Sequence, residues 1–362
     1  MDGISGKKVC VVVKALSKGG AERSASILTY ILSDLGHEVF VVSVLNEIDY
    51  KFKGTLFNLG VDKESQQGVL GRLNRFWKLF KYIRKHQFDY IIDNRTRVRP
   101  FQELLLAALV YPRKKTIYCV RSFNIKNYIS ENQFLAKRTY ARAYKIVAVS
   151  RMVKEKIEHE YGFSNVMEIN NPIEPMDLER GSEAVLSQDY ILYFGRLDEK
   201  VKHLTLLIDA YSESKLSDKG VSLVIMGSGP DEEFLKAYAN TKKTCSLIKF
   251  IEFNPFPAST IKRALFTVLT SRWEGFPRMI LESLSLGVPV LSVKCKSGPE
   301  ELIVHEENGL LVMNNNIQAL ALGMDRLISD EALYKHCKRN AQRSIKPYSL
   351  EQISQKWQMI LK

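Results

Sequence analysis

The chain has 362 residues, 45% hydrophobic and 26% charged, with 20 Gly and 11 Pro. That composition fits a folded globular protein long enough for two domains, and excludes a disordered or collagen-like chain. The net charge of +13 is uneven: residues 1–180 carry 30 Lys and Arg against 19 Asp and Glu, and the remainder 23 against 21.

In chain order, the first residues run directly into an apolar stretch, "KKVCVVVKAL" (7–16), without the longer apolar core of a signal peptide. Further strands are predicted at 38–45 ("EVFVVSVL"), 89–93, 115–121 and 145–149. A second series follows at 189–194 ("DYILYF"), 221–226 ("VSLVIM"), 247–253, 266–270, 288–293 and 309–313. Continuous apolar strands separated by helical stretches predict parallel sheets covered on both faces. The polar, proline-bearing stretch "NNPIEPMDLERGSEAVLSQ" (170–188) reads as a linker. The expected fold class is therefore α/β, with two doubly wound Rossmann-like domains facing across a cleft and ligands beyond the carboxyl ends of the strands.

The most apolar run, "LLLAALVY" (104–111), is too short to span a bilayer. Five scattered cysteines (Cys10, Cys119, Cys245, Cys295, Cys337) without CxxC spacing predict neither a disulfide framework nor a zinc site. A cytoplasmic protein is expected. The basic excess is densest in "RLNRFWKLFKYIRKHQ" (72–87), which has no acid and places Leu73, Phe76, Trp77, Phe80 and Ile83 at helical spacing. This is either a core-packed helix with a solvated basic face or a helix lying on an anionic membrane surface. No DNA- or RNA-binding motif accompanies the charge, so nucleic acid is not an expected partner.

Four constellations fall at strand ends. "SKGGAERSA" puts Gly19 and Gly20 just before a helix, where backbone N–H groups can meet an anion. It lacks the GxGxxG dinucleotide spacing, and read alone it is a tight turn. "GRLDEKVKHLTLLIDAY" places Gly195 and Arg196 after a strand and Lys202 at a helix start, with Lys200 the alternative inward-facing cation. Arginine offers a planar fork to phosphate and lysine a point charge. "MGSGPDEEFL" resembles a phosphate loop, but Asp231, Glu232 and Glu233 fit ordinary dipole compensation, so it reads as structural.

The fourth is "SRWEGFPRMILESLSLGVPVLS" (271–292). With Pro277 at the first helical position, Phe276 is a poor cap and Arg278 sits at the wrong end of the dipole. Arg278 and Glu282 at (i, i+4) can form an ion pair, which leaves the missing cap unexplained. An anionic ligand accounts for both: the N–H groups of Arg278, Met279 and Ile280 would point at a phosphate. Glu282 would accept from a ribose hydroxyl, and Glu274 from a second sugar.

Together with "GGAE" (19–22), "VAVSRMVKEKI" (147–157), "INNPIE" (169–174) and "SGPEEL" (297–302), these segments resemble glycosyltransferase family 4, which has the GT-B fold. The resemblance covers nearly the whole chain. It implies an N-terminal acceptor-binding domain (1–172), a C-terminal nucleotide-sugar domain (173–345) and a final helix (346–362) packing back on the first. It implies a retaining transferase that uses a nucleotide sugar as substrate, without a bound metal or other cofactor; no Asp-x-Asp is present. Arg196 and Lys202 would grip the donor diphosphate, with Glu274 on the transferred sugar and Glu282 on the ribose. Gly195 and Gly275, Phe276, Pro277, Arg278 and Met279 would line it, Gly19 and Gly20 would close over it, and the base would be read around Ile251 to Phe253. The expected donor is UDP-linked and the expected acceptor is lipid-linked, with the enzyme peripheral to the membrane. In "YCVRSFN", Arg121 stands where many members of this family carry histidine, which leaves the sugar open. A nucleotide-sugar 2-epimerase-like enzyme and a non-catalytic nucleotide-sugar binder are the alternatives.

Overall fold

The computed structural model describes residues 6–17, 19–65, 68–176, 178 and 188–362. Residues 177 and 179–187, about half of the predicted linker, fall outside them. The chain forms two compact units, one of residues Met1–Pro172 with Leu350–Lys362, the other Ile173–Ser349.

The first unit contains strands β1 (Lys8–Val13), β2 (Glu38–Ser43), β3 (Thr55–Asn58), β4 (Tyr90–Asp93), β5 (Thr116–Val120), β6 (Lys145–Ala148) and β7 (Val166–Glu168), ordered 3-2-1-4-5-6-7. All pairings are parallel. After its first residue β1 is buried throughout, with Val11 between Val41 of β2 and Ile92 of β4. A strand covered on both faces needs apolar side chains on both, which is why it reads as a continuous hydrophobic run. The helix Leu350–Ile360 completes this unit by burying Ile353, Trp357 and Ile360 in its core. The Tyr144 hydroxyl donates to the Ile360 carbonyl and that of Tyr90 to the Lys362 carbonyl.

The second unit contains β8 (Tyr190–Phe194), β9 (Ser222–Met226), β10 (Ile248–Ile251), β11 (Thr267–Leu269), β12 (Val290–Val293) and β13 (Gly309–Val312), ordered 10-9-8-11-12-13 and again parallel. In both sheets the strand order reverses beside the first strand, between β1 and β4 and between β8 and β11. Such a reversal leaves a crevice at the carboxyl ends of the two strands, the usual ligand position in open α/β sheets.

Two strands escape the sequence pattern. β3 is four residues on a half-exposed edge, and β7 three residues on the opposite edge, so neither carries a long apolar run. The predicted 247–253 strand ends at Ile251, and the one predicted at 288–293 begins after Pro289. Among the described residues no helix is long and apolar enough to cross a membrane.

Candidate functional site

β8 and β11 flank the reversal in the second sheet, and the residues that follow them are the ones the motifs single out. Gly195 leaves β8 at φ +148, and Gly227 leaves β9 at φ +152. A Cβ on Gly227 would lie 1.9 Å from the Gly195 carbonyl oxygen, so the two strand exits approach backbone to backbone. The "GSG" segment therefore serves packing, as its sequence suggests. Asp231 beyond it accepts from the Glu199 N–H at 2.7 Å.

The segment carrying Lys202 differs from expectation. Lys202 does not open the long helix; it ends a single turn, Glu199–Lys202, capped by Asp198, whose Oδ1 accepts from the Val201 N–H. His203 then turns left-handed at φ +51, and a new helix runs Leu204–Glu213. This break directs Lys202 toward the loop after β11. Arg272 N–H donates to the Val201 carbonyl at 2.8 Å and the Thr270 hydroxyl to the Lys202 carbonyl at 2.9 Å. Lys202 Nζ reaches Glu274 Oε1 at 2.6 Å, while Lys200 is exposed. Of the two lysines, Lys202 is the one that faces Glu274.

Glu274 has a second partner that spacing did not reveal: the Ser271 hydroxyl donates to the same Oε1 at 2.6 Å. The loop around Glu274 is fixed from the far side by residues after β12. Glu274 N–H donates to the Lys296 carbonyl, and the Ser297 hydroxyl to the Gly275 carbonyl at 2.8 Å. Gly298, at φ +99, lies so close that a Cβ there would meet Pro277 Cδ at 2.3 Å. This is the structural role of "SGPEEL". The Glu274 carboxylate, together with burial, pushes the Cys295 thiol well above its ordinary range, burial being the larger cause.

The helix Arg278–Ser285 begins one residue later than the sequence suggests. Pro277 is its cap and Arg278 its first residue, and no side chain caps it. The Ile280 N–H donates to the Pro277 carbonyl at 3.2 Å, so the expected triplet of phosphate-facing amides shortens to Arg278 and Met279. Arg278 does pair with Glu282, through Nε and a second guanidinium nitrogen at 3.2 Å, and lies 3.8 Å from Glu174. These side chains are only 10% and 7% exposed, so the pair is enclosed rather than a surface bridge. Phe276, Pro277 and Met279 are buried beside it, and Phe276 packs edge-on against Tyr348.

Arg196 is not drawn into this cluster. Its side chain is 67% exposed, with Nε 3.8 Å from Asp198, although the Tyr193 hydroxyl fixes its carbonyl at 2.9 Å. Phe253 lies two residues past β10 and is half exposed. Gly19 and Gly20 belong to the first unit, at the start of the helix Gly20–Asp34, which also has no side-chain cap. There Arg121, at the end of β5, donates to Asn94 at 2.8 Å and to Asn171 at 3.4 Å. Asn94 in turn donates to the Ala21 carbonyl at 3.1 Å, tying Arg121 to the glycine loop. The other motifs are structural: Ser150 caps the helix Arg151–Tyr161, and Asn170 accepts from Lys356 of the C-terminal helix. No group of three or more His, Cys, Asp or Glu among the described residues is placed to hold a metal ion.

This geometry offers a lysine against a carboxylate at an uncapped helix start, which suits a ligand carrying both negative charge and hydroxyls. Comparison with known proteins agrees. Residues 18–176 match the model of Glycosyltransferase Family 4, and residues 177–344 that of Glycosyl transferases group 1. The chain is 27% identical, over 96% of its length and 97% of the relative's, to a Campylobacter jejuni N-acetylgalactosamine-N,N'-diacetylbacillosaminyl-diphospho-undecaprenol 4-alpha-N-acetylgalactosaminyltransferase. It is 23% identical to the Erwinia amylovora amylovoran biosynthesis glycosyltransferase AmsD, over 98% of the chain and 99% of the relative. Among solved structures, Anabaena HepE in complex with UDP-glucose superposes with a TM-score of 0.79 at 19% identity, covering 98% and 99% of the two chains. Staphylococcus aureus TarM does so with a TM-score of 0.77 at 13% identity, over the full length of both. The chain is a glycosyltransferase of family 4, with the GT-B fold.

Proposed function

We propose that the protein is a retaining, metal-independent transferase that moves a hexose or N-acetylhexosamine from a UDP-sugar to a lipid-linked glycan in surface polysaccharide assembly. The observation that carries the reading is the contact of Lys202 with Glu274, 72 residues apart in sequence and 2.6 Å apart in space, at an uncapped helix start beside the strand-order reversal. The UDP complexes of HepE and the undecaprenol-linked acceptor named for the Campylobacter relative support the choice of donor and acceptor. That the relatives are transferases disfavours the epimerase and the non-catalytic binder.

In this reading Lys202 and the exposed fork of Arg196 hold the diphosphate, and the backbone from Gly275 to Met279 lines the phosphate and sugar. Glu274 exchanges Lys202 for hydroxyls of the transferred sugar, and Glu282 accepts from the ribose. The bond from the anomeric carbon to the diphosphate breaks while the acceptor oxygen attacks from the same face. The acceptor proton passes to the departing phosphate oxygen, leaving UDP and an axial glycoside. Two cations and a helix dipole aimed at the leaving group stabilise its charge.

The test is transfer of radiolabelled sugar from a panel of UDP-sugars into the organic-extractable lipid of bacterial membranes. Wild type should label that fraction from one donor, and Glu274→Ala and Arg196→Ala should each abolish most of the signal. Near-normal labelling by both variants would refute the site.

A further inference from the structure

The exit of β11 carries two neighbouring hydroxyls with different targets. Thr270 donates to the main chain, at the Lys202 carbonyl, as most side-chain hydrogen bonds in proteins do. Ser271 donates instead to a carboxylate, Glu274 Oε1, and its hydroxyl has no other partner among the described residues. Ser271 is fully buried, out of reach of bulk solvent. A loop serine three residues from its acceptor ordinarily serves the local backbone. Here the backbone is held without it. Arg272 N–H donates to the Val201 carbonyl and Glu274 N–H to the Lys296 carbonyl, Trp273 forms a parallel bridge with Lys296, and the Ser297 hydroxyl holds the Gly275 carbonyl. What Ser271 fixes is the carboxylate itself.

That carboxylate is held unevenly. Lys202 Nζ and the Ser271 hydroxyl both reach Oε1, each at 2.6 Å, and among the described residues no hydrogen bond or ion pair reaches Oε2. The two partners differ in kind. Lysine carries a point charge on a flexible four-carbon stem and is drawn to phosphate. A serine hydroxyl carries no charge, sits one carbon from the main chain, and has here a single acceptor in reach. The last torsion of a glutamate is soft, so a carboxylate that loses both partners can turn about it.

We propose that Ser271 is a positioning residue for sugar transfer. Its hydroxyl keeps Glu274 in register through Oε1 when a donor diphosphate draws Lys202 away, so that Oε2 meets the hydroxyls of the transferred sugar in one fixed direction. The proposal rests on the reading of Glu274 as the sugar contact. It adds that the contact needs a second, uncharged anchor that the phosphate cannot remove.

The experiment is isothermal titration of the full chain with UDP, UDP-glucose, UDP-galactose, UDP-N-acetylglucosamine and UDP-N-acetylgalactosamine. The quantity compared is the affinity for the tightest of the four UDP-sugars divided by the affinity for UDP. Both affinities share the displacement of Lys202, so the ratio isolates the sugar. Ser271→Ala should keep UDP affinity within about threefold of wild type and lower the ratio about tenfold or more, the worth of a hydrogen bond to a charged group. Glu274→Ala should lower the ratio at least as far, and adding Ser271→Ala to it should change nothing further, because the hydroxyl acts only through the carboxylate. Equal weakening of UDP and UDP-sugar by Ser271→Ala would make the serine a structural part of the loop and overturn the proposal. A ratio that Glu274→Ala lowers and Ser271→Ala leaves intact would overturn it alone. A ratio unchanged in both would overturn the Glu274 reading and this proposal with it.

Discussion

Separate replacement of Lys202 and Glu274 distinguishes a structural ion pair from a pair that opens to a donor. The two groups are 2.6 Å apart, with side chains 21% and 12% exposed. Such a pair lies between an exposed bridge, worth under about 1 kcal/mol, and a buried one, whose breaking costs about 3–5 kcal/mol. About 1–2 kcal/mol must therefore be given up when a diphosphate takes Lys202 away. Glu274→Gln removes that competition, so it should bind UDP as tightly as wild type or up to about thirtyfold more tightly. Lys202→Met deletes charge-assisted hydrogen bonds of about 1.5–3 kcal/mol, a loss of about 10- to 150-fold in UDP affinity. Transfer should fall in both, by about a hundredfold or more for Glu274→Gln because the sugar is no longer held in register. Isothermal titration with UDP gives the first quantity, and initial transfer rates the second. If Glu274→Gln weakened UDP as much as Lys202→Met does, the carboxylate would belong to the phosphate site and the division of roles would be refuted.

Three further outcomes follow from the same contacts. Gly298→Ala places a Cβ 2.3 Å from Pro277 at a left-handed φ, and should lower stability by about 1–3 kcal/mol in urea denaturation while weakening UDP binding. Asp93→Asn strips the buried carboxylate shared by Arg95 and Arg97, and should destabilise the first unit by about 3–5 kcal/mol, seen as an early transition in calorimetry. Excess EDTA should leave the initial transfer rate unchanged, because the proposed mechanism draws its positive charge from Lys202, Arg196 and the helix start; a rate restored only by added Mg²⁺ would contradict this.

The sheets were largely legible because their strands are covered on both faces. β1 after its first residue and β8 read as unbroken apolar runs, whereas β3 and β7 lie at sheet edges and carry no such signal. The vacant cap of the helix Arg278–Ser285 was also legible, although Pro277 takes the position assigned to Phe276. Proline has φ fixed near the helical value yet can sit just outside the helix with ψ extended, here 112°. Spacing alone could not pair Lys202 with Glu274, because that contact depends on His203 turning left-handed and on two β-exits converging. The motif resemblance singled out both residues; only the fold brings them together. Nothing in the sequence distinguished Ser271, whose hydroxyl joins the same carboxylate oxygen. The basic helix left two readings open because periodicity marks an apolar face without saying what covers it.

The most direct test of the account needs no acceptor. Wild-type protein is incubated with UDP-hexoses and UDP-N-acetylhexosamines, and the products are followed by proton NMR from the earliest times. A retaining transferase should hydrolyse its own donor slowly, releasing UDP and a free sugar that appears first as the α anomer. A β anomer appearing first, a new epimeric UDP-sugar, or no turnover of any nucleotide sugar would contradict the proposed chemistry.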